Sequence, residues 1–386
     1  MTYKRETKAL HSGYRADPET GSVAVPIYQT TSYQFQDTDH AARLFELSEL
    51  GNIYTRIMNP TNDVLEKRLA DMEGGVAALA VASGQAASLY SIQNIARTGD
   101  NFVCSNHIYG GTFNLFKNTF RDMGIEARFV DPRNPENFRA ATDDNTRAYY
   151  AETYPNPSFE VFPIGEVASI GREFGVPLIM DNTAAPIICR PFEHGAAITM
   201  YSTTKYLGGH GNSIGGIIID GGNFDWEAHK DRFPTLSEPD NGYHGAVWIE
   251  AAKPLGPIAY ILKARVTLLR DAGAAMSPFN AFLFLQGIET VALRMERHCE
   301  NALAVANYLK SHPKVSKVIH PSVQDGEAKR RADHYMGGNY GGLMGVELEG
   351  GKPAGQAFIN KLKLFYHVAN IGDARSLAIH PATTTH

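Results

Sequence analysis

Lys205 stands in a stretch of sequence whose residue types could do chemistry on a phosphate-bearing molecule. In YSTTKYLGGHGNSIGG, residues 201–216, it closely follows Ser202 and Thr204 and precedes a run of glycines. The two hydroxyls can donate hydrogen bonds to a phosphate while the lysine amine stands beside it. The alternative is that Lys205 is an ordinary solvated loop lysine, so further residues have to decide.

Two other chemically capable groups follow apolar runs. Asp181 comes directly after VPLIM, where a buried carboxylate without a cationic partner would be costly, so this residue requires a positive partner. Gly84 and Gln85 follow AALAVAS and open the helical segment AASLYSIQNIA, whose first backbone N–H groups could hold a phosphate. Strand–glycine–helix turns are common, so the second feature is weak by itself.

The best-known nucleotide-binding motifs do not match this chain. A Walker loop needs Gly-Lys followed by Ser or Thr, whereas the Gly-Lys pair ending at Lys352 is followed by Pro353. A dinucleotide-binding fingerprint needs a third glycine three residues after Gly211, where the chain has Ile214. The remaining hypothesis is a ligand that carries both a phosphate and a group that reacts with an amine.

Pyridoxal phosphate is a ligand of this kind, and its binding requires a lysine, a carboxylate and phosphate-binding groups. Lys205 would form the Schiff base with the cofactor's aldehyde, and Asp181, at the end of a neighbouring strand, would pair with the pyridinium nitrogen. If Lys205 were only a solvated lysine, Asp181, the Gly84 turn and the hydroxyls would be coincidences.

Composition excludes several other classes of protein. The 386 residues are 43% hydrophobic, which allows a large core and two or three domains. The net charge is −5 and the longest basic run is residues 329–331, which argues against a nucleic-acid surface. Cys104, Cys189 and Cys299 are widely spaced, so neither disulfides nor a zinc site is predicted. We find neither a signal peptide nor a long apolar run, and expect a cytoplasmic protein that does not enter a membrane.

Short apolar runs alternate with helical periodicity from about residue 61 onward. The predicted strands are AALAVAS, NFVCSN, IEARFVD, TRAYYAET, VPLIMDN, AAITMYS and GGIIIDG. Such alternation predicts an α/β protein with a mostly parallel central sheet, in which ligands bind at the carboxyl ends of the strands. One covering helix is predicted over 163–175, and one long helix over 288–309. We expect an N-terminal arm over 1–60, a cofactor-binding domain over 61–262 and a smaller C-terminal α+β domain over 263–386.

The lysine stretch is similar to the lysine signature of the Cys/Met-metabolism enzymes that use pyridoxal phosphate. The resemblance runs from Thr7 to the end of the chain, and the segments that most resemble the O-acetylhomoserine sulfhydrylase branch are GNIYTRIMNPTNDVLEKRLADMEGG, FPTLSEPDNGYHGAVW, SPFNAFLFLQGIETVALRMERHCENA and ANIGDARSLAIHPATTTH. It implies fold type I, like that of aspartate aminotransferase, and the activity of a pyridoxal-phosphate-dependent transferase.

The resemblance also implies roles for individual residues around the cofactor ring. Lys205 is the Schiff-base lysine and later the proton carrier, and Asp181 is the pyridinium partner. Tyr109 in HIYGGT stacks on the ring and assists proton transfer. Asn156 in ETYPNP bonds the ring hydroxyl, and Thr183 supports the ring.

Further residues match the family's phosphate and substrate contacts. The phosphate cup consists of Gly84, Gln85, Ser202 and Thr204. Tyr54 and Arg56 in IYTRIMNP reach the phosphate of the neighbouring subunit, so the resemblance implies a homo-oligomer: a dimer that completes its sites in trans, within a tetramer. Tyr54 and Asn370 are implied to contact the amino-acid substrate.

The reaction implied is γ-replacement, in which acetate leaves O-acetylhomoserine and sulfide or a thiol adds to give homocysteine. Methionine lyase has a cysteine two residues after the stacking tyrosine, where this chain has Gly111, which weighs against elimination. Cystathionine γ-synthase and γ-lyase activities stay open as alternatives. A non-catalytic cofactor-binding protein is a third possibility, although it predicts loss of Lys205 or Asp181, and both are present.

One family feature is missing from the matching region. Family members continue past the position of His386 by roughly a strand and a helix, which contain the arginine that clamps the substrate carboxylate. Up to His386 the chain offers Asn370 and Arg375, and Asp373 could pair with the arginine. We expect either that the natural chain is longer or that carboxylate binding is weakened.

Overall fold

A seven-stranded sheet forms the centre of the protein, whose computed structural model describes residues 3–384. Its strands are β1 Ala77–Val81, β2 Asn101–Ser105, β3 Glu126–Val130, β4 Thr146–Glu152, β5 Leu178–Asp181, β6 Ile198–Tyr201 and β7 Gly216–Asp220. All seven strands predicted from the apolar runs are confirmed. The prediction of an α/β fold with a mostly parallel central sheet is confirmed with them.

The strand order brings several strand ends to one edge of the sheet. The order is β1-β7-β6-β5-β4-β2-β3, with β2 to β6 parallel and β7 antiparallel to both of its neighbours. The carboxyl ends of β1, β2, β4, β5 and β6 therefore share one edge. In the register of β4 and β5, Glu152 stands opposite Asp181 at that edge.

Both faces of the sheet are buried, which explains why its strands read as continuous apolar runs. Along β4, Tyr149 and Ala151 enter one hydrophobic core, whereas Ala148 and Tyr150 enter the other. Because successive side chains point to opposite faces, the middle of a strand between two helical layers is expected to be apolar at successive positions. Helices cover the two faces of the sheet.

Helices make up most of the secondary structure outside the central sheet. The α-helices are α1 Arg5–His11, α2 Thr38–Phe45, α3 Pro60–Glu73, α4 Gly84–Gln93, α5 Gly110–Asn114, α6 Glu136–Ala140, α7 Ile164–Phe174, α8 Pro234–Ser237, α9 Trp248–Ala251, α10 Ala259–Lys263, α11 Arg270–Ala272, α12 Pro278–Glu289, α13 Val291–Lys310, α14 Gly326–Met336 and α15 Gly351–Lys361. Segments Leu115–Phe120 and Ala264–Leu269 are π-helical. Short 3-10 helices lie at Pro191–His194, Lys230–Arg232, Asn241–Tyr243, Lys253–Leu255, Pro321–Val323 and Pro381–Thr383. Helix α7 ends as predicted at Gly175, which has a positive φ of 65°.

The predicted long helix over roughly 288–309 is confirmed as α13, which begins three residues later than predicted, at Val291. Two helices, α12 and α13, meet at Thr290, whose φ of −113° and ψ of 6° interrupt the helical path. The Thr290 N–H bonds to the Gly287 carbonyl, in a tighter turn than an α-helix makes. Periodicity alone did not reveal the break, because apolar residues continue on both sides of it.

The first sixty residues differ in how they pack. Helix α1 buries Ala9 and contacts α3, so the chain's beginning is attached to the core. Residues from about 15 to 58 are largely exposed, and Val23 and Leu50 are 81% and 65% exposed. Apolar side chains left exposed in this number are typical of an interface.

The C-terminal part contains two small sheets next to helices α13 to α15. Strands β8 Val315–Ile319 and β9 Gly345–Leu348 pair antiparallel, and β10 Tyr366–His367 pairs parallel with β11 Leu377–Ala378. A smaller C-terminal α+β domain was predicted, and its division from the rest at residue 263 stays a prediction. Among residues 3–384, no helix has the length and apolar character needed to cross a membrane.

Candidate active site

The turn after β1 meets the end of β6, although β7 lies between these strands. Helix α4 begins at Gly84, and the hydroxyl of the preceding Ser83 accepts a hydrogen bond from the Ala86 N–H at 3.1 Å. A Cβ atom on Gly84 would stand 2.5 Å from the Ser202 Cβ. Only glycine allows this approach, so the first N–H groups of α4 and the Ser202 hydroxyl lie together.

We expect Gly84→Ala to weaken cofactor binding about 10- to 100-fold. The added methyl group would push the two strand ends apart, and overpacking of this kind costs about 1–3 kcal/mol. Equilibrium titration with the cofactor measures the change. Gly242→Ala is the control, because its Cβ would meet a single carboxylate oxygen of Asp240 at 3.1 Å in an exposed turn. Unchanged affinity in Gly84→Ala would contradict the assignment of the turn.

The other predicted phosphate contacts lie beside this turn. Gln85 Oε1 accepts from the Thr112 hydroxyl at 3.2 Å, which leaves the Gln85 amide N–H groups available. Thr204 Oγ1 accepts from the Gly215 N–H at 3.0 Å and donates to the Gly215 carbonyl at 3.2 Å. The Thr204 hydroxyl is therefore held by the glycine-rich loop that follows it.

Lys205 is held by a residue from the C-terminal part of the chain. Its Nζ donates to Asn370 Oδ1 at 2.7 Å. Burial lowers the pKa of Lys205 from its ordinary value. Because the amide of Asn370 is neutral, it orients the amine without favouring the ammonium form as a carboxylate would. A lysine that releases its proton more readily suits general base catalysis.

Asn370→Asp is expected to raise the pKa of Lys205, since a nearby negative charge favours the ammonium form. The pH dependence of Lys205 modification by an amine-reactive reagent, followed by peptide mass analysis in cofactor-free protein, measures this pKa directly. The modification profile should shift to higher pH by about one unit or more, the scale of a close opposite charge. Asn360→Asp, on the exposed surface of α15, should leave the profile in place. An unshifted profile in Asn370→Asp would show that the contact does not tune the lysine.

Two carboxyl groups, Glu152 and Asp181, stand side by side at the ends of β4 and β5. Burial raises the pKa of Asp181 to about 6, and it raises the pKa of Glu152 well above the ordinary value, with the charge of Asp181 adding to that shift. Asp181 Oδ1 accepts from the Thr183 N–H at 2.9 Å. Among the residues the structure describes, no lysine or arginine forms an ion pair with either carboxyl. A cationic ring nitrogen would supply the partner that Asp181 requires.

Glu152 organises the loops around this pair. It accepts the backbone N–H of Tyr109 at 2.6 Å, and the backbone N–H of Asn156 opposes the rise in the pKa of Glu152. The hydroxyl of Thr183 accepts from the Ser202 N–H at 2.8 Å, which ties the end of β5 to that of β6. Sequence reasoning missed Glu152, although it closes the run TRAYYAE just as Asp181 closes LIMD.

Tyr109 presents an exposed ring at the same edge. It precedes α5, and 49% of the residue is exposed. A Cβ on Gly111 would stand 2.4 Å from the Tyr109 ring and 3.2 Å from Gln85 Nε2. The absence of a side chain at Gly111 therefore lets the tyrosine ring lie close to the α4 turn.

Arg294, which sequence reasoning also missed, joins helix α13 to the lysine loop. Its Nη1 donates to the Tyr206 carbonyl at 2.6 Å, and its Nη2 donates to the carbonyls of Gly287 and Leu207 at 2.6 and 3.2 Å. Burial lowers the pKa of Arg294 to about 10. These bonds to backbone oxygens fix the turn that follows Lys205, and the sequence gives no local signal for them.

Arg56 and Arg375 form no hydrogen bond with Lys205 or Asp181 in the part of the chain that the structure describes. Arg56 is exposed, and within residues 3–384 its guanidinium forms no hydrogen bond and lies 5.2 Å from the centre of the Tyr54 ring. Arg375 is engaged elsewhere, because its Nε and Nη2 both donate to the Asp373 carboxylate at 2.9 Å. The pairing of Arg375 with Asp373 that the sequence suggested is therefore present.

Pyridoxal phosphate fits the groups at this edge. Its phosphate suits the N–H groups at Gly84, its aldehyde suits the half-buried amine of Lys205, and its ring nitrogen suits the Asp181 carboxyl. Fold and site together define a pyridoxal-phosphate-dependent enzyme with an α/β architecture.

The chain belongs to the family described as "Cys/Met metabolism PLP-dependent enzyme", whose sequence profile matches residues 6–386. The resemblance inferred from the lysine stretch is confirmed, and pyridoxal phosphate is the cofactor. Among relatives, the O-acetyl-L-homoserine sulfhydrylase of Leptospira meyeri is 54% identical over 391 residues, covering 100% of this chain and 88% of that protein. O-acetyl-L-homoserine sulfhydrylase 1 of Thermus thermophilus is 50% identical, covering 99% of this chain and 90% of that protein.

A solved structure extends the comparison to three dimensions. An O-acetylhomoserine (thiol)-lyase of Campylobacter jejuni is 40% identical and matches this fold with a TM-score of 0.95, over 100% of this chain and 90% of that chain. That crystal structure carries N'-pyridoxyl-lysine-5'-monophosphate at its own position 205.

Proposed function

We propose that the protein is an O-acetyl-L-homoserine sulfhydrylase, which replaces the acetate of O-acetyl-L-homoserine by sulfide to give L-homocysteine. In this reaction the γ-carbon–oxygen bond breaks, a γ-carbon–sulfur bond forms, and acetate leaves. The observation that carries the proposal is the 54% identity to a sulfhydrylase over the whole chain, with every predicted cofactor-contacting residue type present.

Bound pyridoxal phosphate supplies an electron sink for the carbanions formed beside its ring. Lys205 would bind the cofactor covalently and, once displaced by the substrate amine, take the proton from the substrate α-carbon on its Nζ. Its lowered pKa and its bond to Asn370 support this role. Asp181 would keep the ring nitrogen protonated, and Tyr109 would cover one face of the ring and exclude water.

Phosphate and ring contacts are proposed for the remaining predicted residues. Gly84, Gln85, Ser202 and Thr204 would hold the phosphate, while Asn156 and Thr183 would support the ring. Asn370 and Tyr54 would contact the substrate. Gly111, which stands where methionine lyase has a cysteine, supports replacement over elimination.

Product analysis tests the proposed reaction. Purified holoenzyme would receive O-acetyl-L-homoserine with sulfide, methanethiol or cysteine in turn, and mass spectrometry would identify the amino-acid product. We expect homocysteine from sulfide, released with one equivalent of acetate. Preferential formation of cystathionine from cysteine, or of 2-oxobutyrate without any sulfur nucleophile, would contradict the proposal. O-succinyl-L-homoserine in parallel reports the preference for the leaving group.

A dimer that completes its sites in trans is part of the proposal. Tyr54 and Arg56 would reach the cofactor phosphate of the neighbouring subunit. Support comes from the exposed Arg56 guanidinium, which forms no ion pair within the described chain, and from the exposed apolar residues around it. An arginine fork is well suited to a phosphate. We retain the tetramer, the cytoplasmic location and the three-part division of the chain as predictions.

Hybrids of two inactive variants are expected to recover activity. In an Arg56→Ala/Lys205→Ala hybrid, one site combines Lys205 from the first chain with Arg56 from the second. We expect about half of the wild-type activity per dimer of mixed composition, since one of two sites is intact. The separate variants, each mixed with itself, are the controls. No recovery despite demonstrated subunit exchange would show that Arg56 serves its own chain.

A further inference from the structure

We propose that Arg265 is a positioning residue for the cofactor site of the neighbouring subunit, because it fixes the backbone that carries Arg56. This inference rests on the proposed role of Arg56 in trans. Arg265 lies in the π-helical segment Ala264–Leu269, and its side chain is 19% exposed. Its Nη1 donates at 2.9 Å to the carbonyl of Ile57, the residue directly after Arg56.

The other side of the guanidinium is attached to the core of its own chain. Its Nη2 donates to Glu66 Oε2 at 2.6 Å and to the Ala78 carbonyl at 3.1 Å. Glu66 Oε1 in turn accepts the Ala80 N–H at 2.8 Å. Burial raises the pKa of Glu66, and the charge of Arg265 opposes that shift. A planar guanidinium can hold all of these acceptors at once, which a lysine ammonium on its single flexible stem cannot.

Within residues 3–384 the guanidinium of Arg56 forms no hydrogen bond, whereas the backbone on both sides of it is held. The Thr55 N–H bonds to the Thr31 carbonyl at 2.9 Å, and Arg265 holds the Ile57 carbonyl. These two hydrogen bonds fix the backbone that carries Arg56, and they involve none of the N–H donors of its guanidinium. Those donors stay available for a ligand outside the chain.

A role within its own subunit is the competing explanation for Arg265. Ala78 lies on β1, the strand that leads to the Gly84 turn, so Arg265 and Glu66 could instead stabilise the phosphate cup of the same chain. The two explanations locate the defect of an Arg265 variant in different subunits. The proposed one predicts a weakened site in the neighbour, and the competing one predicts a weakened site in the variant chain itself.

Arg265→Lys separates the two explanations, because it keeps a positive charge near Glu66 and loses the fork that reaches Ile57. In the variant homo-oligomer, cofactor should bind about 10- to 100-fold more weakly, the range of one lost charged hydrogen bond. Arg297→Lys, at an exposed arginine paired with Glu300, is the matched control and should keep wild-type affinity.

The decisive sample is a hybrid of an Arg265→Lys chain with a Lys205→Ala chain, purified through two different affinity tags. Its one lysine-containing site combines Lys205 of the first chain with the Arg56 and intact Arg265 of the second. The absorbance of lysine-bound cofactor reports on that site alone. We expect this site to bind cofactor with wild-type affinity and to have the activity of one wild-type site.

Two results would overturn the inference: a hybrid site as weak as that of the Arg265→Lys homo-oligomer, or an Arg265→Lys homo-oligomer with wild-type affinity. The Arg56→Ala/Lys205→Ala hybrid, measured in parallel, distinguishes these failures from failure of the in-trans site. If the Arg56→Ala/Lys205→Ala hybrid recovers activity and the Arg265→Lys/Lys205→Ala hybrid does not, only the role of Arg265 is refuted. If neither hybrid recovers, the role of Arg265 and the site completed in trans are both refuted. Should Arg265→Lys fold poorly, Arg265→Met combined with Glu66→Leu removes the pair without leaving a lone buried charge, and the same hybrid comparison applies.

Discussion

Lys205→Ala is expected to bind pyridoxal phosphate and to lose at least about 10²–10⁴-fold in kcat, the range for general acid–base catalysis alone. Cofactor would still bind through the Gly84 turn and Asp181, because neither depends on the lysine. The absorbance of lysine-bound cofactor should disappear, while equilibrium dialysis should still detect the non-covalent complex. Steady-state kinetics with O-acetyl-L-homoserine and sulfide measures the loss.

A surface lysine provides the control for this variant. Lys363→Ala, at an exposed position of the C-terminal part, should retain wild-type absorbance and kcat. If Lys205→Ala kept the lysine-bound spectrum, or lost less than about tenfold in kcat, another residue would have to carry the proton.

Asp181→Asn is expected to lower kcat about 10²–10³-fold, the scale for removing one preorganised electrostatic partner of a reaction. The neutral amide can accept the Thr183 N–H but cannot keep the cofactor's ring nitrogen protonated. Glu152 should not substitute for it, because burial raises its pKa well above the ordinary range. Asp122→Asn, an exposed neighbour of Arg121, should have wild-type activity.

The same variant should stabilise the cofactor-free protein at neutral and alkaline pH. The pKa of Asp181 rises from 3.8 to about 6 on folding, so the folded chain binds more protons than the unfolded chain between these values. Asp181 therefore costs stability as pH rises through that window, and the cost persists above it. Thermal unfolding of cofactor-free Asp181→Asn should show a higher Tm than wild type at pH 8 and little difference below about pH 4. An equal Tm of wild type and Asp181→Asn at pH 8 would indicate that burial of the Asp181 carboxylate does not lower the stability of the protein.

Sequence alone could predict much of the sheet and the residues at its edge. Each strand is apolar at successive positions because both faces are covered, and this property is local to the strand. Residues directly after such runs, among them Asp181 and Lys205, must then lie at one edge if the strands are parallel. The family resemblance added Tyr109, Asn156 and Asn370, which no local pattern distinguishes.

The remaining features depend on contacts between distant parts of the chain. The Nη1 and Nη2 atoms of Arg294 bond to backbone carbonyls, which every residue possesses, so no complementary charge in the sequence reveals its partners. Arg265 does meet a complementary charge, on Glu66, but 199 positions away in sequence, and no local pattern joins the two. Asn370 meets Lys205 across 165 positions of sequence. The break at Thr290 depends on one backbone conformation within a long apolar pattern, and periodicity does not detect it.

The proposed catalytic roles all depend on a covalent bond between Lys205 and pyridoxal phosphate. The purified holoenzyme would be reduced with borohydride, digested, and mapped by mass spectrometry to locate the pyridoxyl group. We expect one modified peptide, with the pyridoxyl group on Lys205. A pyridoxyl group on another lysine, or none on Lys205 in fully active enzyme, would contradict this expectation.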